Sequence, residues 1–100
     1  MRLTEEERGV IRATVAEVYG PTAVVRLFGS RVHDHLRGGD IDLHVEADDT
    51  DVESFPSRKD RLWAALQRSL GDRRIDIVQT RRGRALKPIE ATAYAEGVML

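Results

Sequence analysis

The chain has 100 residues, 16 Lys and Arg against 17 Asp and Glu, a formal net charge of -1 and no cysteine. That length makes one small domain, residues 1–100, with room for one core and one site, and the near-neutral balance gives no overall basic field for nucleic acid. Without cysteine there are no disulfides or thiolate metal sites. With no membrane-length apolar run and no apolar stretch behind a basic head at the N-terminus, a soluble cytoplasmic protein is expected.

Thr4 and Glu7 have the spacing of a capping box, in which each side chain accepts from an amide of the first turn. Ile11, Val15 and Val18 then recur at helical spacing until Gly20-Pro21, which predicts a helix over 5–19. Val24 to Phe28 is apolar apart from Arg26 and stops at Gly29, the pattern of a buried strand. Ser30 can cap a short helical turn through Leu36, and Arg37-Gly38-Gly39 breaks it. Asp40 to Glu46 alternates strictly, with Ile41, Leu43 and Val45 on one face and Asp40, Asp42 and His44 on the other.

Residues 47–56 are acidic and end in Phe55-Pro56, a solvated loop by composition. Ser57 and Asp60 open the next helix, whose Leu62, Trp63, Leu66 and Leu70 form an apolar stripe ending at Gly71; Trp63 is expected in the core. Arg74 to Gln79 reads as a third strand centred on Ile75-Asp76-Ile77-Val78, and the basic loop Arg81-Arg82-Gly83-Arg84 follows. Pro88 fits the first turn of a last helix over 88–96, and Val98-Met99-Leu100 is a candidate edge strand. The order α-β-α-β-α-β-α, with that edge strand added, predicts an α/β (α+β) domain: a small mixed sheet backed by helices on one face.

Aspartate is a poor strand former, yet Asp40 and Asp42 bracket Ile41 in an apolar strand. A period of two puts both on one side, roughly 7 Å apart at their Cα atoms. Asp76, between Ile75 and Ile77, repeats the anomaly in a second strand. If those strands pair, three carboxylates meet on one face, and like charges that close are reconciled by a divalent cation. Oxygen-only ligation points to Mg²⁺, with Mn²⁺ as the alternative. The plainer account is a strand-end Asp pair capping turns and a third Asp paired with Arg74; it needs three independent placements to coincide. Gly29-Ser30 leaves a strand and opens a helical turn, where free N–H groups attract phosphate, glycine permits close approach and the Ser30 hydroxyl adds a donor.

Other residues carry less. His33 and His35 point apart on a helix and do not make a zinc pair, and His44 is expected to fill space beside the aspartates. Asp48, Asp49, Asp51 and Glu53 lack the ligand spacing of a calcium loop. Arg73, Arg74, Arg81, Arg82, Arg84 and Lys87 offer local charge for triphosphate or an RNA acceptor, or else a solvated counterweight to the acidic loop.

Gly29-Ser30, a nine-residue spacer, Asp40-Ile41-Asp42-Leu43 and the later Ile75-Asp76-Ile77 resemble the polymerase-β-like nucleotidyltransferase superfamily, in its short form the minimal nucleotidyltransferases. The resemblance runs from about Val24 to the end, including Glu96-Gly97-Val98. It implies that Gly29, Ser30 and Arg31 hold the nucleoside triphosphate, that Asp40 and Asp42 ligate Mg²⁺, and that Asp76 shares a metal and helps deprotonate the attacking hydroxyl. It further implies AMP transfer from ATP to a tyrosine of a helical HEPN-type toxin, an antitoxin-like role. The spacer departs from the family pattern: Asp34 stands where many minimal members have glycine. Two alternatives follow, a catalytically inactive module of the same fold that inhibits by contact, and a transferase acting on an RNA end.

Overall fold

A computed structural model describes residues 3–29, 40–48 and 55–100, with Asp40 described in its backbone alone. The helical turn expected after Ser30, and with it Ser30 and Arg31, lies outside the described residues.

The first helix, α1 (Glu5–Tyr19), starts as the sequence predicts: the Thr4 N–H donates to Glu7 Oε1 at 2.9 Å and the Glu7 N–H donates to Thr4 Oγ1 at 3.0 Å. These bonds satisfy two of the four amides that a helix start leaves orphaned. Strands β1 (Val24–Phe28) and β2 (Asp40–Ala47) follow, then helix α2 (Phe55–Leu70), strand β3 (Arg74–Arg81), helix α3 (Pro88–Glu96) and the short strand β4 (Val98–Met99). Helix α2 begins two residues before Ser57, inside the expected loop. Proline is tolerated in a first turn, and Phe55, 2% exposed, is anchored edge-on against the Tyr19 ring at 6.0 Å.

The sheet order is β3-β2-β1-β4. Strand β1 runs antiparallel to both β2 and β4, whereas β2 and β3 are parallel and joined through α2. Parallel neighbours need such a crossover. The alternation of β2 then decides the layers. Ile41, Leu43, Val45 and Ala47 are fully buried and pack with Ile11, Val15, Leu62 and Leu66 of α1 and α2 in one cluster. Helices α1 and α2 form the layer expected on one face, whereas α3 packs on the other. Each fully buried Leu or Ile contributes roughly 1.5–3 kcal/mol by leaving water. The opposite face carries the even-numbered residues of β1, β2 and β3, and α3 covers one end of it, through Glu90 to Thr80 and Tyr94 to His44.

Trp63 corrects an expectation: it is 47% exposed. One step past Leu62 turns a side chain ~100° around the helix, which carries Trp63 off the buried stripe and against β3 near Ile75 and Asp76.

Candidate active site

The register brings two of the predicted carboxylates together. Asp42 is the Cα partner of Asp76 across the parallel β2–β3 pair, and of Phe28 across the antiparallel pair with β1. Paired strands sit about 4.8 Å apart, so two aspartates occupy neighbouring positions on the same face. Asp76 is exposed and Asp42 partly so. Asp40 lies two residues earlier in β2, opposite Arg74 in register; its side chain is outside the described residues. Among the described residues no group of three His, Cys, Asp or Glu is arranged to hold a metal, and the described part of the predicted triad is the Asp42–Asp76 pair.

Gly29 completes this end of the sheet. Its φ of 78° lies in the left-handed region, where any other residue is strained. A Cβ built there would collide with the Asp42 carboxylate. Glycine is therefore required twice, once by the backbone and once by the carboxylate seated against it. The absence of a side chain at Gly29 leaves Asp42 against the turn that the resemblance assigns to triphosphate. Two carboxylates beside the Gly29 backbone are a donor set that suits a hard divalent cation with oxygen ligands.

The covered end of the same face is built differently. His44 is fully buried, with Nε2 at 2.8 Å from Thr80 Oγ1, and Thr80 donates to Glu90 Oε2 at 2.8 Å. A hydroxyl has one hydrogen. With that hydrogen on Glu90, the Thr80 oxygen accepts from His44 Nε2–H, and Nδ1 is left as a buried atom without a partner among the described residues. Burial holds His44 below its usual pKa, and the nearby Arg26 guanidinium adds to the effect. The Tyr94 ring stacks edge-on against His44 at 4.8 Å, with the Arg26 guanidinium 4.4 Å from its centroid. His44 fills space as expected, but inside a hydrogen-bonded chain that ties α3 to the sheet.

Glu46 sits one step further along the same face. Arg26 Nη1 reaches it at 3.2 Å and Arg82 Nε at 3.2 Å. Burial pushes its carboxyl up, yet hydrogen bonds from Tyr94, Arg26 and Arg82 outweigh burial and hold it below the ordinary carboxylate range. Arg82 also donates to Asp48 at 2.7 Å and to the Thr22 carbonyl at 3.0 Å. The basic stretch thus divides: Arg82 pairs with Glu46 and Asp48, Arg73 pairs with Glu7 of α1 at 2.8 Å, and Arg81 stacks on Phe55 with its guanidinium 5.1 Å from the ring centroid. Sequence reasoning did not pick out Glu90 and Tyr94, although their i,i+4 spacing puts them on one helix face.

No family model matches the chain, and no curated protein matches it.

Proposed function

We propose that this chain is a Mg²⁺-dependent nucleotidyltransferase that moves AMP from ATP to a hydroxyl, expected to be a tyrosine of a helical HEPN-type partner. The observation that carries this reading is the in-register placement of Asp42 and Asp76 beside Gly29. Two like charges in adjacent positions repel, an arrangement that a divalent cation and a phosphate substrate would turn to use. Asp40 and Asp42 would hold the metal, and Asp76 would share it. Bound there, Mg²⁺ supplies charge neutralisation at the phosphates and at the attacking oxygen.

The chain's own residues contribute position and proton transfer. The Gly29 turn, with Ser30 and Arg31 after it, receives the triphosphate, and the absence of a Cβ lets the backbone approach. Asp76 takes the proton from the acceptor hydroxyl as its oxygen attacks the α-phosphorus. The bond from that phosphorus to the bridging oxygen breaks in line, and pyrophosphate leaves. Most of the acceleration comes from orientation and fixed charge.

The test is transfer of label from ATP carrying it in the α-phosphate, with Mg²⁺ and a partner protein that co-purifies with this chain. Label should appear on that partner with α-labelled and not γ-labelled ATP, and vanish with Asp42→Asn. Inhibition of the partner that survives Asp42→Asn, with no labelling, would favour the inactive binding module. Label on RNA would redirect the reading to an RNA end.

A further inference from the structure

Strand β3 is the outer strand of the sheet: β2 lies on one side and, among the described residues, no strand lies on the other. Along Arg74–Arg81 alternate residues turn N–H and C=O away from β2, a row of donors and acceptors on which an extended chain can add itself. The space beside them is shaped. A hollow of about 150 Å³ touches Ile75, Asp76 and Ile77, and a larger one of about 540 Å³ touches Val78, Gln79 and Arg81. Successive strand residues point to opposite faces, so hollows lined by consecutive residues lie along the edge and not over either face. Lys59 lines both, which joins them into one trough.

The trough is polarised. At one end the half-exposed Trp63 stands beside Asp76. At the other, the exposed Lys59 and Lys87 line the wall beside Glu90, which already accepts from Thr80. Apolar Phe55 and Ile89 line the same hollow, and Ile89 is 49% exposed.

We propose that this edge docks an extended acidic peptide segment of a partner protein, added as a strand against β3. Its carboxylates pair with Lys59 and Lys87, and its apolar side chains cover Phe55 and Ile89. Charge complementarity selects an acidic occupant. Three observations select peptide over single-stranded RNA. A strand edge offers carbonyls as well as amides, which complement a peptide backbone and repel phosphate oxygens. The cations share the hollow with apolar Phe55 and Ile89, where a phosphodiester calls for a continuous basic track. The whole chain, at -1, lacks the field that draws nucleic acid. From Arg81 to Asp76 is about 17 Å of strand, so a hydroxyl-bearing residue near the end of the docked segment arrives at the carboxylate pair. That last step rests on the nucleotidyltransferase reading; the docking does not.

Fluorescence anisotropy with a labelled peptide of Glu and Val residues, long enough to span β3, tests this. A Lys and Val peptide and a single-stranded RNA of matched length serve as comparisons. The acidic peptide should bind at low salt, at least about tenfold tighter than either comparison, a gap of about 1.4 kcal/mol. The double variant Lys59→Glu, Lys87→Glu should weaken it by a similar factor. N-methylation of alternate peptide bonds should abolish binding in one register and spare it in the other, which side-chain capture alone would not do. Failure of the acidic peptide to bind, RNA binding as tightly, or indifference to charge reversal or to both N-methyl registers would overturn the proposal. Asp42→Asn should leave peptide binding within about twofold. Docking without nucleotidyl transfer would sink the catalytic reading alone, and transfer without docking would sink this one alone.

Discussion

The two ends of one sheet face obey the same alternation and reach opposite electrostatic outcomes. Under α3, the polar residues of β1, β2 and β3 are matched: His44 to Thr80, Thr80 to Glu90, Glu46 to Arg26 and Arg82. Beyond α3, the register sets Asp42 beside Asp76, like charge against like. Matched networks rigidify a fold and lose stability when a partner is removed. Like charges set side by side oppose folding and are kept where a ligand uses them. The difference separates residues that hold the domain together from those proposed to act, although both descend from the same even-numbered positions of the sheet face.

The largest effect should come from the acidic end. Asp42→Asn is expected to lower nucleotidyl transfer by at least about a thousandfold, since it removes metal charge and position together. Its thermal midpoint should move by no more than the equivalent of about 1 kcal/mol. Gly29→Ala is next: positive φ and collision with the Asp42 carboxylate should cost about 1–3 kcal/mol in urea unfolding and displace the site with it. At the covered end the order reverses. Thr80→Val leaves His44 Nε2 and Glu90 without a shared partner, and should cost about 1–3 kcal/mol of stability while nucleotide-dependent labelling per folded molecule stays near wild type.

The smallest effect is pH dependence at Glu46. Burial raises its carboxyl pKa, but hydrogen bonds from Tyr94, Arg26 and Arg82 lower it further, so the folded value lies below the unfolded one. Between those values the unfolded chain binds more protons, and stability rises with pH. The contribution is complete above the unfolded value of about 4.3 and fades as pH falls through the folded value. Urea midpoints should therefore drop below about pH 4.3, and Glu46→Gln should flatten that drop. An unchanged slope in the variant would assign the acid sensitivity elsewhere.

How much of this was legible in the sequence varies with the distance over which each feature is determined. The capping box of Thr4 and Glu7 and the stop at Gly20 are local, and α1 runs where they put it. The alternation of Asp40 to Glu46 is local too, and it marked both faces of β2. That Asp42 and Asp76 are Cα partners was a conditional expectation, because register between strands separated by a helix depends on how α2 packs. Trp63 misled because an aromatic next to Leu62 looks like part of an apolar stripe; one helical step decides which side of the edge it takes. The chain from His44 through Thr80 to Glu90 was not legible, since its three members come from β2, β3 and α3. The start of α2 at Phe55 was hidden by Phe55-Pro56, which resembles a loop until the burial of Phe55 is known.

The central claim is that Asp42 and Asp76 act as one cation site, and manganese binding tests it most directly. Mn²⁺ can be titrated into the protein with a non-cleavable α,β-methylene analogue of ATP, following the free-ion electron paramagnetic resonance signal. The wild type should remove Mn²⁺ from solution beyond what the analogue alone removes, and Asp42→Asn and Asp76→Asn should each lose that excess. Equal Mn²⁺ uptake by all three proteins would contradict the account.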